Sequence, residues 1–341
     1  KTKSSNPTDS VKPVQSAEEV EEKVEIYRLM RRIRLFEDRL VSLFEEGKVY
    51  GTAHTCIGQE GVAVGALFDL EVTDYVTGTH RSHGHCIGKG ADVGKMMAEL
   101  LAKESGYCAG KGGSMHICDL DLAMLGANGI VGAGVPISVG AAFANRLTGN
   151  GLISVSFFGD GATNIGAFHE AANMAAALSL PMLFICENNE YAEYSPRHKT
   201  MAITDVIERA AAYGFPGAIV DGMDCVAVFE AASLAIEKIR KGEGPMMLEC
   251  KTYRFYDHVG VKGTASNYRT DEEVEEMRKR DPLVVHEARL IESGVMSADS
   301  LQAIKDEIQK EVDMAVEFAE ESPFPEEEEI LLDVYSKRES S

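Results

Sequence analysis

The sequence predicts an α/β fold: a mostly parallel β-sheet with helices on both faces, extended by helices at both ends of the chain. Two observations carry this. Short apolar runs at residues 152–158, 182–186, 218–220 and 246–250 alternate with helical stretches at 166–178, 205–213 and 225–240. Strand–helix–strand alternation implies right-handed crossovers, which make neighbouring strands parallel and cover both faces of the sheet. The composition, 45% apolar and 26% charged, is that of an ordinary globular protein.

Residues 1–16 are rich in Lys, Ser, Thr and Pro and nearly free of apolar side chains, so a disordered arm is expected. Ser16 followed by Glu19 reads as a capping box. Ile26, Leu29, Met30, Ile33, Phe36, Leu40, Leu43 and Phe44 then recur at helical spacing, and Gly47 is the expected stop. Residues 50–150 are rich in Gly and small side chains, which implies loops and helices in close backbone approach. The strand–helix alternation follows. Residues 255–270 are polar and contain Gly, as a mobile loop would. Two charged helices are expected after Thr270, then the acidic run 326–329, a solvated face. The last 41 residues hold four basic and 13 acidic side chains. The length, 341 residues, is a prior for about two domains. The text itself divides into an arm (1–16), a helical extension (17–50), one α/β core (51–255), and a loop with C-terminal helices and an acidic tail (256–341).

The charge is −21, from 34 basic and 55 acidic residues. That argues against nucleic acid, whose phosphates call for Lys and Arg, and against anionic membrane surfaces. No apolar run approaches the ~18 residues of a bilayer span. Seven cysteines are scattered singly with no C-x-x-C pair. They read as reduced, mostly buried thiols, and with no leader pattern in the first residues the expected location is cytoplasmic.

In a parallel sheet, ligands bind beyond the carboxyl ends of the strands. Two polar clusters fall there: Gly159-Asp160-Gly161-Ala162 after the first run and Glu187-Asn188-Asn189 after the second. A single crossover helix separates them, so the two strands should be neighbours, with Asp160 and Asn189 facing one crevice. One carboxylate and one amide oxygen form a sparse, hard donor set that suits Mg²⁺ completed by phosphate oxygens and water, and does not suit Zn²⁺. Gly159 and Gly161 admit a bulky anion, and the helix that follows favours negative charge. The pattern points to a Mg²⁺–diphosphate site; the bland reading is a simple turn after a strand.

Gly159-Asp160-Gly161 followed by Asn188-Asn189 resembles the thiamine diphosphate-binding motif, and with it the thiamine diphosphate-binding fold. More of the chain, roughly residues 20 to 335, resembles the alpha subunit of the thiamine-dependent decarboxylating component of 2-oxo-acid and acetoin dehydrogenase complexes. The supporting segments are Gly58-Gln59-Glu60, Thr79-His80-Arg81-Ser82-His83-Gly84-His85, Gly110-Lys111-Gly112-Gly113-Ser114-Met115-His116, Asn128-Gly129-Ile130-Val131-Gly132, Val220-Asp221-Gly222-Met223-Asp224, Thr252-Tyr253-Arg254 and Tyr268-Arg269-Thr270.

The resemblance implies roles by position. Asp160, the Asn189 side chain and the Tyr191 backbone carbonyl would hold Mg²⁺. Gly161 and Ala162 would lie against the diphosphate, with Arg81 and Arg254 reaching its oxygens. Gly129 and Val131 would touch the aminopyrimidine end. His258 matches the family's active-site loop histidine, which would hydrogen-bond the diphosphate or an intermediate and line the route of the lipoyl group, and His54 matches one near the substrate. His80 stands where the pyruvate type has a tyrosine and would still reach phosphate. Phe255-Tyr256-Asp257-His258 replaces a Tyr-His-Gly-His stretch. Val259 and Asn267 stand where mitochondrial members carry phosphorylated serines, so that control is not expected.

The implied assembly is an α2β2 heterotetramer whose beta subunit supplies the glutamate that contacts the pyrimidine; no segment here reads as a pyrimidine-binding module. The implied reaction cleaves a C–C bond next to a carbonyl and transfers the acyl group to the lipoyl arm of an acyltransferase component. Thr79-His80-Arg81, His83-Gly84-His85-Cys86, Met124-Leu125-Gly126-Ala127-Asn128-Gly129 and Glu193 favour acetoin; pyruvate and then branched-chain 2-oxo acids are the alternatives. From other classes stand a non-catalytic assembly subunit and a Mg²⁺-dependent phosphate hydrolase, which would need more carboxylates beside Asp160.

Other readings are blander. His80, His83 and His85 are expected to make phosphate, substrate or loop hydrogen bonds rather than hold zinc. Gly132-Ala133-Gly134 lacks the rest of a dinucleotide fingerprint and opens a close-packed helix over 133–144. Ser154 and Ser156 lie within a strand with no nucleophile elbow. His198 and His286 are expected at the surface.

Overall fold

A computed structural model describes residues 16–259 and 268–332. Residues 1–15 of the N-terminal arm and residues 260–267, half of the loop expected over 255–270, therefore lie outside the described residues. The first helix, α1 (Ala17–Glu45), starts as the sequence requires: the Ser16 hydroxyl accepts from the Glu19 amide at 3.1 Å and the Glu19 carboxylate accepts from the Ser16 amide at 2.9 Å. Two residues beyond its end, Gly47 takes a φ of +73°. Its buried stripe is Ile26, Met30, Ile33, Phe36, Leu40 and Leu43, while Leu29 and Phe44 are only partly covered.

Next come α2 (Glu60–Leu67), β1 (Tyr75–Thr77), α3 (His83–Gly88), α4 (Val93–Leu100), β2 (Met124–Gly126) and α5 (Gly134–Thr148). The alternating half follows: β3 (Ser154–Gly159), α6 (Gly166–Ala177), β4 (Met182–Asn188), a short antiparallel pair β5 (Tyr191–Ala192) and β6 (Ser195–Pro196), α7 (Arg197–Thr200), α8 (Glu208–Tyr213), β7 (Gly217–Asp221), α9 (Cys225–Arg240) and β8 (Met246–Lys251). The six-stranded sheet has the order β2-β1-β3-β4-β8-β7, and every pairing in it is parallel. All four expected strands are present. The two added ones, β1 and β2, have three residues each, too few to show a period.

Side chains of the central strands alternate between two cores. Val155, Phe157, Leu183 and Ile185 face a core shared with α1, α2, α9 and the last helix. Phe158, Met182, Phe184 and Cys186 face a second core under α5 and α6. Ser154 and Ser156 are buried within β3.

Among the described residues the C-terminal part holds three α-helices where two were expected: α10 (Asp271–Arg278), α11 (Pro282–Glu292) and α12 (Ala298–Glu321). The division falls at Asp281, which caps the Leu283 amide, with Pro282 as the first helical residue. Charged pairs tie these helices back to α1, among them Arg28 with Glu307 and Arg32 with Glu311. His286 is a correction to the sequence reading. It is buried where α11 meets α1, its Nε2 2.8 Å from the Lys23 carbonyl oxygen, because α11 lays that face on α1. His198 is exposed. Of the seven free cysteines, five are buried and Cys108 and Cys118 are partly exposed. Among the described residues no helix is long and apolar enough to cross a membrane.

Candidate active site

β3 and β4 pair so that Gly159 stands beside Glu187, and the polar clusters that end both strands meet at one edge of the sheet. A cavity of about 270 Å³ opens there. Gly159, Gly161, Ala162, Asn189, Tyr191, Val131, His80, Arg81, Arg254 and His258 all line it. Gly129, Asp160 and His54 do not: Asp160 lies buried between the lining residues Gly159 and Gly161, and Asn128 and Ile130 line the cavity on either side of Gly129, where a Cβ would lie 3.4 Å from His116.

Asp160 opens a 3-10 turn over Asp160–Asn164, and its own carbonyl accepts from the Thr163 hydroxyl at 2.7 Å. Its side chain is 1% exposed, and neither carboxylate oxygen has a hydrogen-bond partner. Buried polar atoms are nearly always paired, so a carboxylate left bare calls for a proton or a cation. Burial, reinforced by the nearby Glu190, lifts its pKa to about 6, with Arg197 and Arg254 opposing the rise. Gly161 is required by a close approach: a Cβ there would lie 2.5 Å from that of Ala192. The β5 strand, Tyr191 and Ala192, thus rests directly on the turn that bears Asp160.

Asn189 is placed by three bonds. Its amide N–H donates to the Glu187 carbonyl at 3.0 Å, its Oδ1 accepts from the Tyr191 amide at 3.3 Å, and its Nδ2 donates to Gln59 Oε1 at 2.9 Å. The Tyr191 hydroxyl donates to Glu273 at 2.7 Å, and burial with that bond raises the phenol pKa above its ordinary value.

Arg81 and Arg254 are both buried beside the cavity. Arg81 donates to the Thr55 and His258 carbonyls, and burial beside Arg254 lowers its pKa to about 10. Arg254 donates to the Glu193 carbonyl and the Tyr268 hydroxyl, while its Nε has no partner. His54, His80 and His258 form a triad of rings with centroids 4.8, 4.8 and 5.2 Å apart, and His54 Nδ1 is buried and unpartnered. Burial above all, then the charge of Arg81, lowers their pKa values to about 3, about 2 and about 3. All three are neutral hydrogen-bonding groups at neutral pH.

The histidines of the α3 region separate. His80 joins the cavity, but His83 pairs with Glu37 at 3.0 Å and Ser114 at 2.9 Å, and His85 pairs with Glu187 at 3.1 Å while stacking on Phe157. Three acidic or amide partners escaped the sequence reading of the site, Gln59, Glu249 and Glu273, whereas Glu187 already stood in the polar cluster after the second run. A signal existed for two of them. Gln59 lies in one of the family-like segments, and Glu249 is a charge inside an apolar strand.

The sequence pattern of the dehydrogenase E1 component matches residues 28–328. The alpha subunit of acetoin:2,6-dichlorophenolindophenol oxidoreductase from Bacillus subtilis is 46% identical over 91% of this chain and 92% of its own length. That from Cupriavidus necator is 44% identical over 91% of this chain and 93% of its own. The pyruvate dehydrogenase E1 component subunit alpha of Zymomonas mobilis is 41% identical over 92% and 88%. With the family pattern spanning most of its length, the chain belongs to the dehydrogenase E1 component family, in which it stands with the alpha subunits.

Proposed function

We infer that the chain is the diphosphate- and metal-holding subunit of a thiamine diphosphate-dependent oxidoreductase, acting on acetoin with transfer of the acyl group to a lipoyl arm. The observation that carries the metal assignment is the bare, buried carboxylate of Asp160. Asp160, the Asn189 side chain and the Tyr191 carbonyl would hold Mg²⁺, a hard cation that takes few protein oxygens and completes its shell with phosphate and water. Gly161 and Ala162 leave room for the diphosphate. Arg81, Arg254 and His80 supply donors for its oxygens.

Bound thiamine diphosphate supplies the carbanion chemistry that cleaves the bond beside the carbonyl. The chain's own residues bind, orient and exclude water. Neutral His54 and His258 offer nitrogen acceptors to a substrate hydroxyl, and burial first, then the guanidinium charge beside them, keeps those imidazoles from taking a proton of their own. The missing pyrimidine contact fits a beta subunit, with cofactor sites at α/β interfaces of an α2β2 assembly, and an acyltransferase component as acceptor. Acetoin is favoured by the two oxidoreductase relatives that are named for it. Pyruvate is the second reading, favoured by the Zymomonas relative.

The test is co-expression with a beta subunit and dye reduction with acetoin, pyruvate and branched-chain 2-oxo acids in parallel. Turnover restricted to 2-oxo acids would overturn acetoin as the substrate. Robust turnover by this chain alone would overturn the division of the site between two subunits.

A further inference from the structure

Glu249 lies on β8, between β4 and the edge strand β7, buried at 0% exposure, and it does not line the cavity. Its carboxylate nevertheless has three donors. Oε1 accepts from Asn188 Nδ2 at 2.6 Å and from Lys251 Nζ at 2.5 Å, and Oε2 accepts from the Ile207 amide at 2.8 Å. Asn188, held this way, turns its Oδ1 to the Glu190 amide at 3.2 Å. Glu190 has a φ of +70°, the left-handed region that a non-glycine residue enters only when its surroundings hold it there. The Asn188 carbonyl is pinned from the far side by the Thr252 amide at 2.9 Å, and Arg197 binds both the Glu190 carbonyl and its carboxylate. That single left-handed residue reverses the chain between Asn189 and Tyr191. It lays β5 on Gly161, beside Asp160.

We propose that Glu249 is a positioning residue for metal binding: through Asn188 it fixes the left-handed turn at Glu190, which presents Asn189 and the Tyr191 carbonyl beside Asp160. The inference rests on the reading of those three residues as the metal holders. A charge buried in an inner strand of the sheet, outside the cavity lining, is explained by this task. An apolar residue would fill the strand equally well but would leave the Asn188 amide without its acceptor.

The test uses the full chain co-purified with its beta subunit, thiamine diphosphate in excess, and Mn²⁺ as a probe titrated by electron paramagnetic resonance. Glu249→Gln places an amide donor against donors and is expected to weaken Mn²⁺ binding by about tenfold. The Mg²⁺ requirement for half-maximal activity should rise in parallel, while kcat at saturating Mg²⁺ stays within a few-fold. Asn188→Ala removes the link and leaves Glu249 its bonds to Lys251 and Ile207. It should reproduce the loss, and Glu249→Gln added to it should cost little more, because coupled residues are not additive. Unchanged Mn²⁺ affinity in Asn188→Ala, or losses that simply multiply in the double variant, would overturn the proposal. If Glu249→Gln does not fold, Asn188→Ala decides alone. Failure of the unmodified complex to bind Mn²⁺ would strike the functional reading rather than this inference.

Discussion

Asn189 donates its side-chain amide to Gln59 across 130 positions of sequence, at 2.9 Å and out of contact with solvent. The bond decides which end of the Asn189 amide faces Gln59, and so which end is left for a cation. Gln59→Ala is therefore expected to free that amide. The loss of one buried hydrogen bond, about 1 kcal/mol, corresponds to roughly a fivefold weaker metal affinity. Calorimetric titration of Mg²⁺ in the presence of thiamine diphosphate measures it; an affinity equal to the unmodified protein's would count against the role.

Asp160 gives two opposite outcomes. With cofactor, Asp160→Ala should abolish Mg²⁺–thiamine diphosphate binding, read by calorimetry. Without cofactor, the ionised carboxylate is a burden, since its folded pKa of about 6 lies above the unfolded value of 3.8. The sign follows: the unfolded chain releases this proton first, so stability from this group falls as pH rises from about 4 to about 6 and stays lower above that. Cofactor-free Asp160→Asn should then melt higher than the unmodified protein at pH 7.5, by something on the order of 2 kcal/mol, with the gap closing toward pH 4. Metal affinity should weaken as pH falls below about 6, where protons compete for the same oxygens.

The three clustered histidines act in the other direction. Their folded pKa values, about 3, 2 and 3, lie below the ordinary 6.5. The unfolded chain takes protons near pH 6.5 that the folded chain refuses, so stability drops as pH falls below that value. Unfolding near pH 5 should take up to three protons at this triad. Replacing His54, His80 and His258 with Asn should flatten the acid limb of a melting-temperature profile. An unaltered limb would show that the triad does not govern it.

Glu99 predicts a stability effect away from the cavity. Its buried carboxylate accepts from the backbone amides of Cys108, Gly110, Gly112 and Gly113, at 2.7 to 3.0 Å. Glu99→Gln keeps the shape but turns a donor toward donors, and should cost about 2–3 kcal/mol. Denaturant unfolding measures the cost, and faster proteolysis within residues 106–115 should accompany it. Equal midpoints would refute the clamp.

For kinetics, His258→Ala should lower kcat of the assembled enzyme by tenfold or more with the cofactor still bound. Cofactor affinity is measured by fluorescence quenching and turnover by dye reduction. A change confined to cofactor affinity would move His258 from the substrate side to the diphosphate side.

Local text was enough for much of this protein. The capping box, the stripe of α1, the four long strands and the pairing of the two strands that lead to Asp160 and Asn189 follow from periodicity and from one crossover helix, and both are near-neighbour information. The tertiary structure decided what periodicity does not encode. It placed β1 and β2 in the sheet by pairing, though each is too short to announce itself. It turned His80 into the cavity while giving His83 and His85 to Glu37 and Glu187, and it buried His286 under α1. It also supplied Gln59 and Glu249, the partners that orient Asn189 and Asn188, from 130 and 61 positions away. A residue's type and spacing limit which chemistry it can perform. Which buried group finds a partner, and which is left bare as Asp160 is, depends on what long-range packing brings within hydrogen-bond distance.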